Sequence, residues 1–142
     1  MNQQANSIRQ EEQGDIAASS KAQRAKIMNH YANTTERFLA AWIQAIEHIG
    51  PEYFECKGID NFKEATDRDQ IRPDWDVIEQ RINVCSIGEG VFIGAVMSFF
   101  NGKWGAGICH CFGCHGIGDA ANRLELDELE IVIELMNSHT GW

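Results

Sequence analysis

Residues 86–118 read SIGEGVFIGAVMSFFNGKWGAGICHCFGCHGIG, and the first half of that stretch decides what kind of fold the chain can have. Glu89 and Lys103 are its only acidic or basic residues, histidines aside. Ser86 followed three residues later by Glu89 is the signature of a capping box, in which each residue satisfies an orphan N–H of the other. Behind it Val91, Phe92, Ile93, Ala95, Val96, Met97, Phe99 and Phe100 leave no polar face. A helix that is apolar all round must be buried by other elements. Asn101 and Gly102 tolerate left-handed backbone and are expected to close this central helix, 86–101. Residues 102–118 then read as a loop rich in glycine and cysteine.

The flanking segments supply amphipathic helices to cover it. Downstream, Asp127 with Glu130 forms a second capping-box pattern, and Leu126 with Ile131 a hydrophobic staple. Leu129, Val132, Ile133 and Met136 follow at core spacing, with Asp127, Glu130 and Glu134 on the opposite face. Upstream, Trp75, Ile78 and Ile82 follow Pro73, which suits a first helical turn. Phe38, Leu39, Trp42, Ile46 and Ile49 make another stripe, ended by Gly50 and Pro51. His48 near that end is expected to complement the helix carbonyls. Ser20 with Gln23 and Asn33 with Glu36 are further caps, so this region is expected as one kinked helix or two. Between Glu52 and Arg72 the chain is charged and irregular. It reads as a surface excursion pinned by Tyr53, Phe54 and Ile59, with Cys56 buried beside them and a short helix capped by Asn61.

These readings predict an all-α protein of five or six helices around the central one, with Phe92, Val96, Phe99, Trp42 and Leu129 in one core. Residues 1–18 are polar and are expected as a mobile tail, leaving 19–142 as a single helical domain. An α+β fold is the alternative, should 103–117 form a hairpin and 131–136 a strand.

Composition narrows the function. A chain of 142 residues suits one core without disulfide staples. With 21 acidic against 12 basic residues the net charge is -9, which disfavours a general nucleic-acid or anionic-membrane binder. The acidity is concentrated at one end: residues 119–142 hold Asp119, Glu125, Asp127, Glu128, Glu130 and Glu134 against the single Arg123. The first residues lack an apolar signal core and the apolar run near residue 91 is too short to span a bilayer, so a cytoplasmic location is expected. There, five cysteines are expected as thiols or metal ligands rather than disulfides.

The segment CHCFGCH, 109–115, is the one concentration of chemistry-bearing residues. Residues 111–118, CFGCHGIG, resemble the C-x-x-C-x-G-x-G repeat of the cysteine-rich domain of DnaJ-type chaperones. The resemblance covers a single copy, without the J-domain signature, and implies a zinc-ligand role for Cys111 and Cys114. Tetrahedral zinc takes four donors, and Cys109 and His115 complete the candidate set Cys109, Cys111, Cys114 and His115, with His110, Cys85 and His139 as further options. The letters Cys111-Phe112-Gly113-Cys114-His115 also match the attachment motif of c-type haem, which a cytoplasmic location disfavours. Thiol–disulfide chemistry by Cys111 and Cys114 is a third reading, and incidental thiols in a glycine loop a fourth.

No paired catalytic carboxylates, Ser-His-Asp set, phosphate loop or nucleophile elbow is present, so a non-enzymatic role without cofactor is expected. The favoured expectation is a protein-interaction protein, of the kind phages and mobile elements use as inhibitors or accessory factors. It would engage a basic surface of a protein partner through Asp127, Glu130 and Glu134, without contacting nucleic acid or membrane directly. The alternative is a zinc-binding or thiol-active module built on the cysteine segment.

Overall fold

The computed structural model describes residues 2–141, with side chains from residue 16 onward. Six α-helices and one two-stranded sheet make up the described chain, the helix-dominated architecture the patterning predicts. Contacts divide it into two units, residues 1–33 and 34–142.

The first helix, α1, runs from Asn2 to Ile49 without interruption. Of the two expectations, one helix or two, it is one, and it takes in residues 2–18, expected as a mobile tail. The chain permits this because these residues contain no proline and only Gly14, which costs a helix about 1 kcal/mol. In the first unit, residues 16–33 are exposed throughout. In the second, α1 buries Thr34, Phe38, Ala41, Trp42, Ala45, Ile46 and Ile49, spaced at threes and fours as one helical face requires. It ends at Gly50, whose φ of 121° is closed to most side chains, and Pro51 opens a 3-10 turn, Pro51–Tyr53.

The segment expected to be irregular contains a small sheet. Strand β1, Phe54–Cys56, pairs antiparallel with β2, Ile71–Pro73, in the register Phe54 to Pro73, Glu55 to Arg72 and Cys56 to Ile71. Two capped 3-10 turns bridge them: Phe62–Glu64, where Asn61 accepts from the Lys63 N–H, and Arg68–Gln70, held by an Asp67 and Gln70 box. The Trp42 indole N–H donates to the Ile71 carbonyl at 3.3 Å and ties the sheet to α1. Phe54 is buried, but the strand leaves the core after it, so Cys56 is exposed rather than buried. Pro73 ends β2 instead of opening a helix; Asp74 caps the following helix, α2 (Trp75–Ile82), by accepting from the Val77 N–H.

Helix α3, Ile87–Ser98, starts with both halves of the Ser86 and Glu89 box in place and buries Val91, Phe92, Ile93, Val96 and Met97. It stops sooner than expected. Asn101 does not close α3 but starts the next helix, α4 (Gly102–Cys111), its side-chain oxygen accepting from the Trp104 N–H at 3.1 Å. Asn is as suited to begin a helix as to end one, because its short carbonyl reaches an orphan N–H. The expected loop over 102–118 is therefore helical through Cys111, then turns, and continues as α5, Ile117–Ala121.

The glycines of α3 and α4 set how closely the two helices approach. A Cβ at Gly94 would lie 2.6 Å from Cys109 Sγ, one at Gly105 would lie 2.3 Å from the Ser98 backbone nitrogen, and one at Gly90 would overlap the Phe112 ring at 2.2 Å. Glycine there trades helix propensity for backbone contact.

The last helix, α6 (Leu126–Ser138), is capped by a Glu125 and Glu128 box, two residues before the expected Asp127 and Glu130 pair. Its buried face is Glu128, Val132, Leu135 and Ser138; of the expected Leu129, Val132, Ile133 and Met136 only Val132 is buried. Phe92, Val96 and Trp42 are fully buried together as expected; Phe99 packs half-buried against them, and Leu129 lies outside that cluster. Residues 103–117 and 131–136 form no strand, which removes the α+β alternative.

Gly105→Ala gains about 1 kcal/mol of helix propensity but drives a methyl into rigid backbone, an overpacking cost of about 1–3 kcal/mol. The second effect wins, and a lower denaturation midpoint is expected. Gly107, on the same helix, has nothing within 4 Å of a built Cβ, so Gly107→Ala should raise the unfolding free energy by about 0.5–1 kcal/mol, and the midpoint with it. Equilibrium unfolding of both variants checks the packing; equal shifts would contradict it.

Candidate functional site

Helix α4 ends in a Schellman motif. The Cys114 N–H donates to the Cys109 carbonyl and the Gly113 N–H to the His110 carbonyl, both at 3.0 Å, with Gly113 at φ 69° in the left-handed region. The motif brings together the side chains four positions before and one position after its left-handed residue. Here those are Cys109 and Cys114. Both line one cavity of about 250 Å³, together with His110 and His115, whose rings meet edge to face at 4.9 Å. The Arg123 guanidinium hydrogen-bonds the Phe112 carbonyl and braces the turn from outside, and the His115 N–H donates to Asp119 Oδ2 at 3.0 Å.

Cys111 is elsewhere. Two residues along a helix rotate a side chain by about 200°, and Cys111 points to a second cavity of about 280 Å³, lined by Trp75, Ile78, Ile82 and Trp104. The candidate metal set is thus split: Cys109, Cys114 and His115 border one cavity and Cys111 another. Among the described residues no three His, Cys, Asp or Glu side chains are grouped to hold a metal ion. All five cysteines are free thiols. Burial first, then the neighbouring Cys114, pushes the Cys109 thiol up to about 11, so at neutral pH it is overwhelmingly protonated.

The acidic residues of α6 are divided as well. Glu134 accepts two hydrogen bonds from the Arg37 guanidinium, at 2.7 and 2.9 Å, and this fork holds its carboxyl below the usual range. Asp127 and Glu130 are exposed and share a shallow groove with Gln44, Glu47, His48 and Ile131. Glu47 bridges to Lys63 at 2.7 Å.

Sequence reasoning missed Glu128. It is 5% exposed, one oxygen accepting from the Glu125 N–H at 3.0 Å and the other 3.2 Å from His48 Nε2. His48, in the last turn of α1, packs edge to face on Phe92 at 4.9 Å and faces these carboxylates, with Asp127 Oδ2 3.9 Å from its Nδ1. A Glu at the cap position with a second Glu three residues on was the available signal, and it was obscured because Glu is not among the preferred caps.

Turning Glu128 inward has a consequence on the far side of α6. Leu126, Ile133 and Met136 are 74%, 46% and 49% exposed, and with half-buried Leu129 they follow the spacing three, four, three of a single helical stripe. Asp127 and Glu130 flank that stripe. No family model matches the chain, and neither a curated protein nor a solved structure shows significant similarity to it.

The thiols should separate by reactivity. Under native conditions at pH 8, iodoacetamide is expected to modify exposed Cys56 and Cys111 first, with Cys109 and Cys114 protected and the Cys109 rate climbing as pH rises towards about 11. Time-resolved peptide mass spectrometry reads this directly. Alkylation of Cys109 as fast as that of Cys111 would mean that the turn is open.

Proposed function

We propose that this protein is a non-enzymatic interaction module that works by docking α6 onto a protein partner, as an inhibitor or accessory factor would. The observation that carries the reading is the apolar stripe of exposed Leu126, Ile133 and Met136 with half-buried Leu129, turned away from the core although its composition is that of a core face. Single exposed apolar residues need no explanation, but a helical row of four is the pattern by which an amphipathic helix enters a partner's groove. Asp127 and Glu130 beside the row favour a groove with a basic rim, in keeping with the net charge of -9. Glu134, occupied by Arg37, contributes less than its sequence position suggests and acts mainly to hold α6 on α1.

The apolar row supplies affinity and the carboxylates steer the encounter, because apolar burial is short-ranged whereas charge acts over about 8–10 Å at physiological salt. Two variants test the division. Leu126→Ser with Ile133→Ser and Met136→Ser removes the row, and Asp127→Asn with Glu130→Gln removes the charges. All five positions are exposed, so each substitution should change stability by no more than about 0.5 kcal/mol. In affinity purification from the native host, a partner retained by the parent protein should be lost with the first variant. With the second it should associate more slowly and with a shallower salt dependence. A partner held equally by all three proteins would remove α6 as the docking element.

A further inference from the structure

From the cysteine turn we infer that Cys109 and Cys114 are an oxidisable pair, forming a reversible disulfide with a small two-electron oxidant of the peroxide class, and that the C-x-x-C pair Cys111 and Cys114 is not. The inference is independent of the docking role of α6.

The geometry rests on the main chain. The Cys114 N–H to Cys109 carbonyl bond of 3.0 Å, added to an N–Cα length of about 1.46 Å and the Cα···O span of about 2.4 Å across the bent carbonyl unit, keeps the two Cα atoms within about 6.9 Å. That is the outer limit of the range of about 4.4–6.8 Å that disulfides span. The Schellman turn turns both side chains to the same side, where they line one cavity. The two thiols already interact with each other, Cys114 being one of the groups that raise the Cys109 thiol, and each also makes a weak hydrogen bond to a carbonyl, Cys109 to Val91 at 3.9 Å and Cys114 to Gly116 at 3.6 Å. Bringing the sulfurs together gives up those two bonds and leaves the turn's own hydrogen bonds in place. Cys111 has no such route, since it faces the tryptophan-lined cavity. The surface cavity of about 250 Å³ beside the pair has room for a molecule of peroxide size.

The chemistry balances with peroxide as the only added reagent. The Cys114 sulfur, as the thiolate, attacks an oxygen of H₂O₂; the O–O bond breaks, a sulfenic acid forms, and the departing oxygen takes up the thiol's proton and leaves as water, with Cys109, the thiol pushed up by burial, as the second sulfur. The second sulfur then attacks the sulfenic sulfur; the S–O bond breaks, its oxygen leaves as water with the second thiol's proton, and the S–S bond forms. Two thiols are oxidised and one peroxide is reduced to two waters. A dithiol reductant reverses it by exchange.

The test uses the reduced full chain treated with hydrogen peroxide. The parent protein should lose two of its five thiols, counted after denaturation, with a mass decrease of two hydrogen atoms that dithiothreitol restores. Chymotryptic cleavage after Phe112 places Cys109 and Cys111 on one peptide and Cys114 on the next, and fragmentation of the linked pair between Cys109 and Cys111 assigns the bond to one of them. Because Cys109 packs against Gly94, Cys109→Ser can disturb the fold, and the decisive variant is exposed Cys111→Ser, which should form the bond to the same extent as the parent. Cys114→Ser should abolish it. A Cys111–Cys114 bond in the parent, an unchanged thiol count, or sulfinic acid at Cys114 with Cys109 still free would each overturn the inference.

Discussion

Backbone contact between α3 and α4 is the constraint on which the rest of the second unit depends. Gly94 and Gly105 let the two helices meet at distances where any β-carbon would collide, and the short connection through Asn101 makes them neighbours in sequence as well. With α4 so close, the almost uncharged α3 has one side covered without large side chains. Its remaining apolar residues, Phe92, Ile93, Val96 and Met97, are free to pack with Phe38, Trp42, Ile46 and Leu135 of α1 and α6. The same closeness explains the surroundings of Cys109. Its sulfur sits where Gly94 has no side chain, and that burial is the main reason its thiol is held well above the ordinary range.

A second constraint orients α6. A buried carboxylate is costly unless it is hydrogen-bonded, and Glu128 meets the requirement with its own cap N–H on one side and His48 on the other. Once that side chain is fixed inward, the helical repeat of 3.6 residues leaves no choice for the others. Val132, Leu135 and Ser138 follow Glu128 into the core, and Leu126, Ile133 and Met136 are left outside. The exposed stripe is thus the geometric counterpart of one buried acid. The Arg37 and Glu134 fork then holds the helix across its exposed side.

The cysteine segment shows how secondary structure rearranges what spacing suggests. As a loop, Cys109, Cys111, Cys114 and His115 are interchangeable neighbours. As the end of a helix they are not, because Cys109 and Cys111 leave the axis in nearly opposite directions and the turn at Gly113 folds Cys114 back to the first of them only. The pair defined by the C-x-x-C letters and the pair defined by the backbone are therefore different.

What the chain's own letters determined is what depends on local physics. The Ser86 and Glu89 box, the Phe38 to Ile49 stripe, its stop at Gly50 and Pro51, the Asn61 cap and the burial of Phe92, Val96 and Trp42 each follow from residues within a few turns of one another. Tertiary structure decided the rest. That Asn101 opens a helix depends on α4 having α3 to lean on through Gly105. That Ile71 pairs with Cys56 depends on a strand partner and on the Trp42 indole. The face α6 buries depends on His48, 80 residues away from Glu128 in the chain, and a periodicity that ranks residues only by hydropathy has no reason to turn a glutamate inward. Where a polar group finds its partner only through the fold, the pattern along the chain does not carry the answer.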